Sequence, residues 1–232
     1  MNKSLLSASL FAFALAAPLA HAHEAGDIIV RAGAITVNPK ADSSSVKVDQ
    51  GPLSGTNLGG KATMSSDTQL GLNFAYMLTN NIGIELLAAS PFEHDVKIKG
   101  TALPAANGKL GTLKHLPPTL SVVYYPLDAK SPFQPYIGGG INYTWIYDEH
   151  VGSEAQSNGF GNFKAKNSWG LAWQVGADYM LTDNIMLNAQ VRYIDIDTRA
   201  TVENNAVAPG TRAKVNVDVD PFVYMVGLGY KF

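Results

Sequence analysis

The chain has 232 residues, a formal net charge of −2 at neutral pH and no cysteine. A balance of charge this close to neutral argues against a nucleic-acid-binding protein. Without cysteine the chain has no disulfide framework and no cysteine-based metal site, and an all-β barrel of this length is commonly a single unit.

Residues 1–22 have the pattern of a secretory signal peptide. A lysine supplies the positive start, an apolar run covers Leu5 to Ala17, and Ala20-His21-Ala22 has the small-x-small form of a cleavage site. The sequence predicts cleavage after Ala22, which leaves residues 23–232 as the exported domain. An uncleaved anchor is the alternative, but the apolar run is too short to span a bilayer.

Eight segments of the exported domain alternate between an apolar face and a small or polar face. Lipid-facing strands of an outer-membrane β-barrel show this alternation, with aromatic residues at the two membrane interfaces. The last strand is an example, because Tyr224, Val226, Leu228 and Tyr230 share one face. The eight predicted strands are residues 27–37, 67–78, 82–92, 118–125, 134–147, 168–181, 185–197 and a final strand from about Lys214 to Phe232.

Long and short connections alternate between these strands. The long loops cover about 38–66, 93–116 and 148–167, with a fourth before the last strand, and the short turns lie near 79–81, 126–133 and 182–184. With both chain ends on one side, all long loops fall on the other, as in outer-membrane proteins. The sequence therefore predicts an all-β, eight-stranded antiparallel transmembrane β-barrel in the cell outer membrane, with short periplasmic turns and long extracellular loops.

A soluble, lipocalin-like barrel is the alternative fold. Such a barrel carries its large apolar residues inside and its polar residues outside. Here the charged strand residues share a face with glycines, while tryptophans and tyrosines occupy the opposite face. This distribution favours the membrane barrel.

Two predicted strands change phase near their extracellular ends. Apolar residues switch parity after Tyr193, where Ile194 and Ile196 are out of step, and they switch again at Asp220-Pro221. A β-bulge would cause such a switch. Extension of the strand above the membrane would also cause it, since the alternation rule then relaxes, and the sequence leaves both explanations open.

Short motifs recur along the exported domain in a specific order and spacing. They are His23–Asp27, Thr68–Leu72, Asn81–Ala89, His115–Leu120, Pro135-Tyr136, Gly140–Thr144, Ser168–Gly170, Asp195–Thr198 and Val219–Phe222. Together they resemble the OmpW family of outer-membrane proteins, and its OprG-like members most closely.

The resemblance implies an eight-stranded barrel with a narrow, largely hydrophobic channel. It further implies passage of small, mainly hydrophobic molecules and a sideways exit into the outer leaflet. The partners that we expect are outer-membrane lipids, small hydrophobic molecules and, during biogenesis, the barrel-assembly machinery; nucleic acid is not expected.

Polar side chains on the inner faces of the predicted strands form a candidate site. Buried charges need partners, and both signs are present, so a paired polar plug is expected in the lumen. The plug either seals the barrel or lines a polar pore, and sealing is favoured because wide aqueous lumens come with about 16 or more strands. The predicted plug residues are Arg31, Glu85, Asp178, Arg192, Gln69, Asn73 and Gln174.

Three prolines predict a lateral opening between the third and fourth strands. Pro91 lies at the top of the third strand, and Pro117 and Pro118 open the fourth. Proline cannot donate a backbone hydrogen bond, so several in one neighbourhood should weaken the ladder there. Such prolines also shape ordinary loops, and the sequence alone leaves both interpretations open.

Other functions receive less support from the residues. His94, Asp95 and His115 lack the spacing of a metal motif, so we interpret them as solvated loop residues and expect no metal or other cofactor. No motif groups a nucleophile with a base, and we expect no enzyme. The alternatives to transport are a barrel that binds or adheres through its loops and, further off, an outer-membrane enzyme.

Overall fold

The computed structural model describes residues 22–206 and 209–232, so the predicted signal segment, apart from Ala22, lies outside the described residues. In the described chain no helix is both long and apolar enough to cross a bilayer. A helix, α1, covers Ser153–Ser157, and a 3-10 turn covers Pro104–Ala106. The strands are β1 Ile28–Asn38, β2 Asp42–Ser43, β3 Val46–Gln50, β4 Asn57–Met64, β5 Asp67–Met77, β6 Ile82–Ala89, β7 Phe92–Thr101, β8 Gly108–Leu116, β9 Thr119–Tyr124, β10 Phe133–Val151, β11 Phe160–Ala165, β12 Ser168–Met180, β13 Ile185–Ile194, β14 Asp197–Asn204, β15 Thr211–Asp218 and β16 Phe222–Lys231.

Eight of these strands close into an antiparallel barrel, which confirms the predicted fold class. The order around the wall is β1, β5, β6, β9, β10, β12, β13 and β16, with β16 paired back to β1. At this seam Ile29 lies opposite Lys231, and the amide of Phe232 donates to the carbonyl of Ile28 at 2.9 Å. The two ends of the exported domain therefore meet in one wall.

The outer face of this barrel is apolar, as the alternation predicts. Val226, Trp173 and Leu70 are 65, 60 and 57% exposed, respectively, while the adjacent inner-face residues Met225, Ala172 and Gly71 are buried. An exposed apolar belt of this kind suits a hydrocarbon environment and would be costly in water.

The predicted long loops are largely strands, and this differs from the sequence-based expectation. β2, β3 and β4 occupy the first of them, β7 and β8 the second, and α1 and β11 the third. These strands, together with β14, β15 and the upper part of β10, form a second set of antiparallel pairings, here called the extension, which continues the wall above the barrel. Their alternation was missed because it is inverted, with apolar residues inside and polar residues outside.

This inversion also explains the two phase changes. The strands break between β13 and β14 and between β15 and β16, where Asp220 adopts a positive φ of 36°. Above the breaks Ile196, Val215 and Val217 face the interior and are buried. Extension of the wall above the membrane, of the two explanations considered, accounts for both changes.

Candidate functional site

The lower lumen contains a buried network centred on Arg31 of β1. Its Nε and Nη2 donate to Asp178 Oδ1 and Oδ2 of β12 at 2.9 and 2.5 Å. Nη2 also donates to the hydroxyl of Tyr125, and Nη1 donates to Asn73 Oδ1 at 3.2 Å. Arg31, Asn73 and Asp178 are fully buried, so this bidentate ion pair has no contact with water.

A second ion pair lies directly above the first. Arg192 Nη2 of β13 donates to Glu85 Oε1 of β6 at 2.6 Å. Gln174 ties the pair together, since its Nε2 donates to Glu85 at 2.9 Å and its Oε1 accepts from Arg192 Nε at 2.9 Å. Arg31 Nη1 lies 3.5 Å from Glu85 Oε2 and joins the two layers. Two arginines and two carboxylates thus cancel in charge across the lumen, which is the arrangement that burial of charges demands.

Of the seven residues predicted for the plug, Gln69 lies apart from the others. Its Nε2 donates to Asp67 Oδ2 at 2.8 Å, and its Oε1 accepts from Ser90 Oγ at 3.1 Å. It therefore braces the upper rim of the barrel. The remaining six, which form one network across the lumen, are Arg31, Asn73, Glu85, Gln174, Asp178 and Arg192.

Four side chains that the predicted plug does not include also join the network: His23, Tyr125, Tyr136 and Asn188. Asn188 Nδ2 donates to Asp178 Oδ1 at 2.8 Å and to the hydroxyl of Tyr136 at 3.0 Å. His23 precedes the first strand, yet its imidazole lies in the lumen, with Nε2 3.0 Å from Asp178 Oδ2. Tyr125 follows the last residue of β9 and packs edge-on against His23, with ring centroids 4.7 Å apart. Strand alternation assigns no face to His23, which lies outside every predicted strand, and the available signal was the resemblance of His23–Asp27 to a family motif. Tyr125 is the last residue of the predicted fourth strand, and the alternation of that strand could have placed it in the lumen.

Above the polar network the lumen changes character. The interior of the extension is lined by buried aliphatic and aromatic side chains, and we call it the vestibule. Its floor is at the level of Leu87 and Met225, and Gln190 Nε2 lies 3.2 Å from the sulfur of Met225. The vestibule holds small apolar cavities of about 30 and 40 Å³. Its buried lining includes Val37, Val46, Phe92, Val96, Ile98, Leu110, Leu113, Ile146, Phe163, Ile196, Val215, Val217 and Val219.

A histidine pair lies low in the vestibule wall, where the sequence had suggested solvated loop residues. His94 is fully buried and His115 is 5% exposed, and their Nε2 atoms are 2.7 Å apart. His94 Nδ1 lies 2.6 Å from the carbonyl of Ser65, so it donates there and its Nε2 accepts from His115. Burial lowers the pKa of His94 and, with the neighbouring His94, lowers that of His115 to about 3.

The backbone ladder between the predicted third and fourth strands is interrupted at the prolines. β6 pairs with β9 up to Leu87 opposite Thr119, and β7 pairs with β8 from Phe92 opposite His115. Between these two pairs residues 88–91 face residues 116–118 without ladder pairing in the described chain. The prolines predicted to mark this place therefore lie on both lips of the interruption.

The side chain of Asn142 closes the inner side of this interruption. It is fully buried on β10, and its Nδ2 donates to the carbonyls of Pro117 and Pro118, both at 3.1 Å. Thr144 Oγ1 in turn donates to Asn142 Oδ1 at 2.7 Å. The carbonyl of Pro118 also accepts from the backbone amide of Tyr143 on β10 at 3.1 Å, so Asn142 adds a side-chain hydrogen bond there and supplies one to the carbonyl of Pro117.

Three carboxylates at the outer rim could hold a cation. Oxygen atoms of Asp195, Asp197 and Asp220 lie within 4.8 Å of one another. Burial and the nearby Asp218 raise the pKa of Asp197, as expected for carboxylates that crowd together. Exposed acidic groups are common without a metal, and nothing else at this rim points to an ion.

Comparisons with known proteins agree with this architecture. The model of the OmpW family matches residues 24–232. Outer membrane protein W of Vibrio cholerae is 41% identical over 232 residues, all of both chains, and that of Escherichia coli K12 is 40% identical over 99% of this chain and all of its own. The crystal structure of OprG from Pseudomonas aeruginosa is 47% identical, with a TM-score of 0.84 over 91% of this chain and 98% of that one.

Proposed function

This chain belongs to the OmpW family of outer-membrane proteins, and we propose that it is a channel for small, mainly hydrophobic molecules. The proposed route begins between the extracellular ends of the extension, follows the apolar vestibule and leaves sideways into the membrane. The observation that carries the proposal is the change from an apolar to a polar lumen at the level where the ladder is interrupted. An enzymatic step forms no part of the proposal.

We propose the six-residue network as the seal of the lower lumen. An apolar molecule that continued downwards would have to displace paired, dehydrated charges, and removal of one partner from such a pair is strongly unfavourable. The polar network also leaves little room for water or ions. The expected wild-type behaviour in a planar bilayer is accordingly a low ion conductance.

The side exit lies at Pro91, Pro117 and Pro118 in this proposal. At this level the side chain of Asn142 binds the carbonyls of Pro117 and Pro118, and its rotation would release them while the backbone pairing of β9 with β10 stays intact. Because the outer face of the barrel is apolar, a molecule that passes this point enters hydrocarbon directly. It therefore passes from an apolar vestibule to an apolar membrane beside the side chain of Asn142 and does not cross the charged network.

Cysteine pairs test the side exit, because the chain has no cysteine of its own. The variant Ala88→Cys/Pro118→Cys places thiols where the β6–β9 register would continue across the interruption. The matched control, Leu86→Cys/Leu120→Cys, joins two outward residues that already face each other within the intact ladder. In liposomes, oxidation should slow uptake of a small aliphatic hydrocarbon in the first variant and leave the control unchanged.

Other outcomes would redirect the proposal. Full uptake by the oxidised Ala88→Cys/Pro118→Cys protein would rule out the side exit. Wild-type protein that binds an apolar molecule without passing it would favour a binding or adhesion barrel, the alternative to transport. Large, steady ion currents in the wild type would show that the charged residues line an open pore.

A further inference from the structure

We infer that the outer face of β4, β7 and β8 binds the phosphate groups of the glycolipid that forms the outer leaflet. Four lysines define this surface, here called the lysine face: Lys61, Lys97, Lys99 and Lys109. This inference concerns the outside of the extension and is independent of transport through the lumen.

The lysines are opposed in pairs across the ladder. Lys61 lies directly opposite Lys99 between β4 and β7, and Lys97 lies directly opposite Lys109 between β7 and β8. All four are exposed on the same side of three neighbouring strands. Like charges placed directly opposite each other destabilise an antiparallel pair, so the fold bears a cost here that an anion between the strands would remove.

The carboxylates nearby neutralise only part of this charge. Lys61 Nζ lies 2.9 Å from Asp42, and Lys109 Nζ lies 2.7 Å from Asp95. Lys97 and Lys99, at the centre of the face, have no ion-pair partner in the described part of the chain. The middle strand therefore presents two ammonium groups on alternate residues, each with three N–H donors that can bind phosphate oxygens.

The height of the lysine face identifies the occupant. Trp145, an exposed aromatic of the outer interface, faces Leu116 of β8. Lys109 lies seven residues further up β8, which at about 3.3 Å per residue and a tilt of about 45° is roughly 15 Å above Trp145. The lysines thus lie above the acyl chains, where an outer-membrane glycolipid carries its sugar phosphates. Basic clusters at such a position attract anionic headgroups.

The test compares phosphorylated with dephosphorylated lipopolysaccharide as the probe. Protein folded in detergent is titrated with each fluorescently labelled glycolipid, and binding is followed by anisotropy at several salt concentrations. The variant Lys97→Gln/Lys99→Gln should bind the phosphorylated form at least about tenfold more weakly, through loss of two charge-assisted contacts. Its binding of the dephosphorylated form should equal that of the wild type.

Two controls separate charge from structure. Lys164→Gln/Lys166→Gln makes the same change of charge on and just after β11, away from the lysine face, and should bind as the wild type does. Lys97→Arg/Lys99→Arg keeps the charge and should keep the affinity. Equal binding of the two glycolipids by the wild type, or an equal loss in the β11 control, would overturn the inference.

Thermal unfolding gives an independent test, because the difference in unfolding temperature between the variant and the wild type should reverse when the glycolipid is added. In detergent alone, Lys97→Gln/Lys99→Gln should unfold at a higher temperature than the wild type, because opposed charges are removed. With phosphorylated glycolipid present the order should reverse, since only the wild type gains the bound phosphate. A variant that is less stable in both conditions would show that the lysines serve the fold alone and would contradict the inference.

Discussion

The membrane barrel and the extension are built by one chain from the same kind of antiparallel pairing, yet their two faces are exchanged. In the barrel, Trp173 and Val226 point outward and Arg31 and Glu85 inward; in the extension, Lys97 and Lys99 point outward and Val96 and Ile98 inward. The solvent outside the wall is hydrocarbon in the first case and water in the second. The medium outside the wall therefore determines which face of a strand is apolar, even within one continuous strand such as β10.

The two interiors consequently hold together by different interactions. The barrel lumen relies on paired charges, whose burial is costly unless every partner is present. The vestibule relies on apolar packing, where truncation of one large side chain costs about 2–5 kcal/mol through lost contacts and a cavity but leaves no buried charge without its partner. Four sets of experiments test this difference between the two interiors.

Removal of one plug charge should have the largest effect. Arg192→Ala removes the nearer ion-pair partner of the buried Glu85, leaves Arg31 at 3.5 Å as its remaining cation and gives the cluster one negative charge in excess, and loss of a partner from a buried pair typically costs about 3–5 kcal/mol. The double change Glu85→Gln/Arg192→Met removes both charges and should recover much of that loss. The heat-induced shift in gel migration and the ion conductance in planar bilayers measure stability and leak. If Arg192→Ala protein had the stability and the low ion conductance of the wild type, the ion pair would neither seal the lumen nor stabilise the barrel.

A lysine on the outer wall should distinguish the two regions directly. Val226→Lys, midway along β16, places an ammonium group against lipid and should destabilise the barrel by about 2–4 kcal/mol. Thr112→Lys, half-exposed on the outer face of β8 and opposite Asp95, makes a similar surface change in water and should stay within about 0.5 kcal/mol of the wild type. Urea unfolding in lipid vesicles compares the two, and equal effects would contradict the assignment of hydrocarbon and water to these walls.

Acidification should weaken the vestibule through the histidine pair. The pKa of His115 is about 3 in the folded protein, below its ordinary value near 6.5, because burial and His94 disfavour the charged form. Between these two pH values the unfolded chain binds the proton and the folded chain does not. The contribution of neutral His115 to the free energy of unfolding is therefore fully present above about pH 6.5 and is lost as the pH falls. The expected loss by pH 4 is on the order of 1–3 kcal/mol.

His115→Asn is the matched variant for this pH effect. Its unfolding temperature should depend less on pH between 6.5 and 4 than that of the wild type, while His150→Asn, an exposed residue of β10, should leave the dependence unchanged. Parallel pH profiles for the wild type and His115→Asn would show that another group is responsible.

The smallest change in stability is expected at the interruption between the two regions. Pro91→Ala restores a backbone N–H at an exposed position, so the free energy of unfolding should change by no more than about 0.5 kcal/mol. The added donor should nevertheless tighten the lip of the gap and slow uptake of apolar molecules into liposomes. Unchanged uptake in this variant, together with an ineffective cross-link between the two lips, would leave the prolines as loop-shaping residues only.

Sequence alone was sufficient for the barrel, because one face of each strand is uniformly apolar and the inner polar residues follow from parity. Arg31, Glu85, Asp178 and Arg192 could therefore be placed in the lumen before any contact was known. Gln69 has the same parity, yet it lies at the rim, since parity gives the face of a residue and not its height.

The extension escaped prediction for a related reason. Residues such as Val46 and Val48, or Val96 and Ile98, alternate as clearly as those of the barrel, but between them stand polar and charged residues typical of loops. Only contact with neighbouring strands shows that the apolar set points inward. His94 and His115 were placed in solvent with the rest of that segment, although the inner face of β7 and β8 buries both.

The seam between β1 and β16 has a consequence for the order of events in folding. The amide of Phe232 bonds to Ile28, so the wall closes only when residues about 200 positions apart in the chain meet. Contacts of such separation form slowly. Until then the chain presents two unpaired strand edges, which are prone to join other chains. The barrel is therefore most prone to aggregate before β1 pairs with β16. Any factor that protects these two strand edges until then determines how many chains reach the membrane without aggregating.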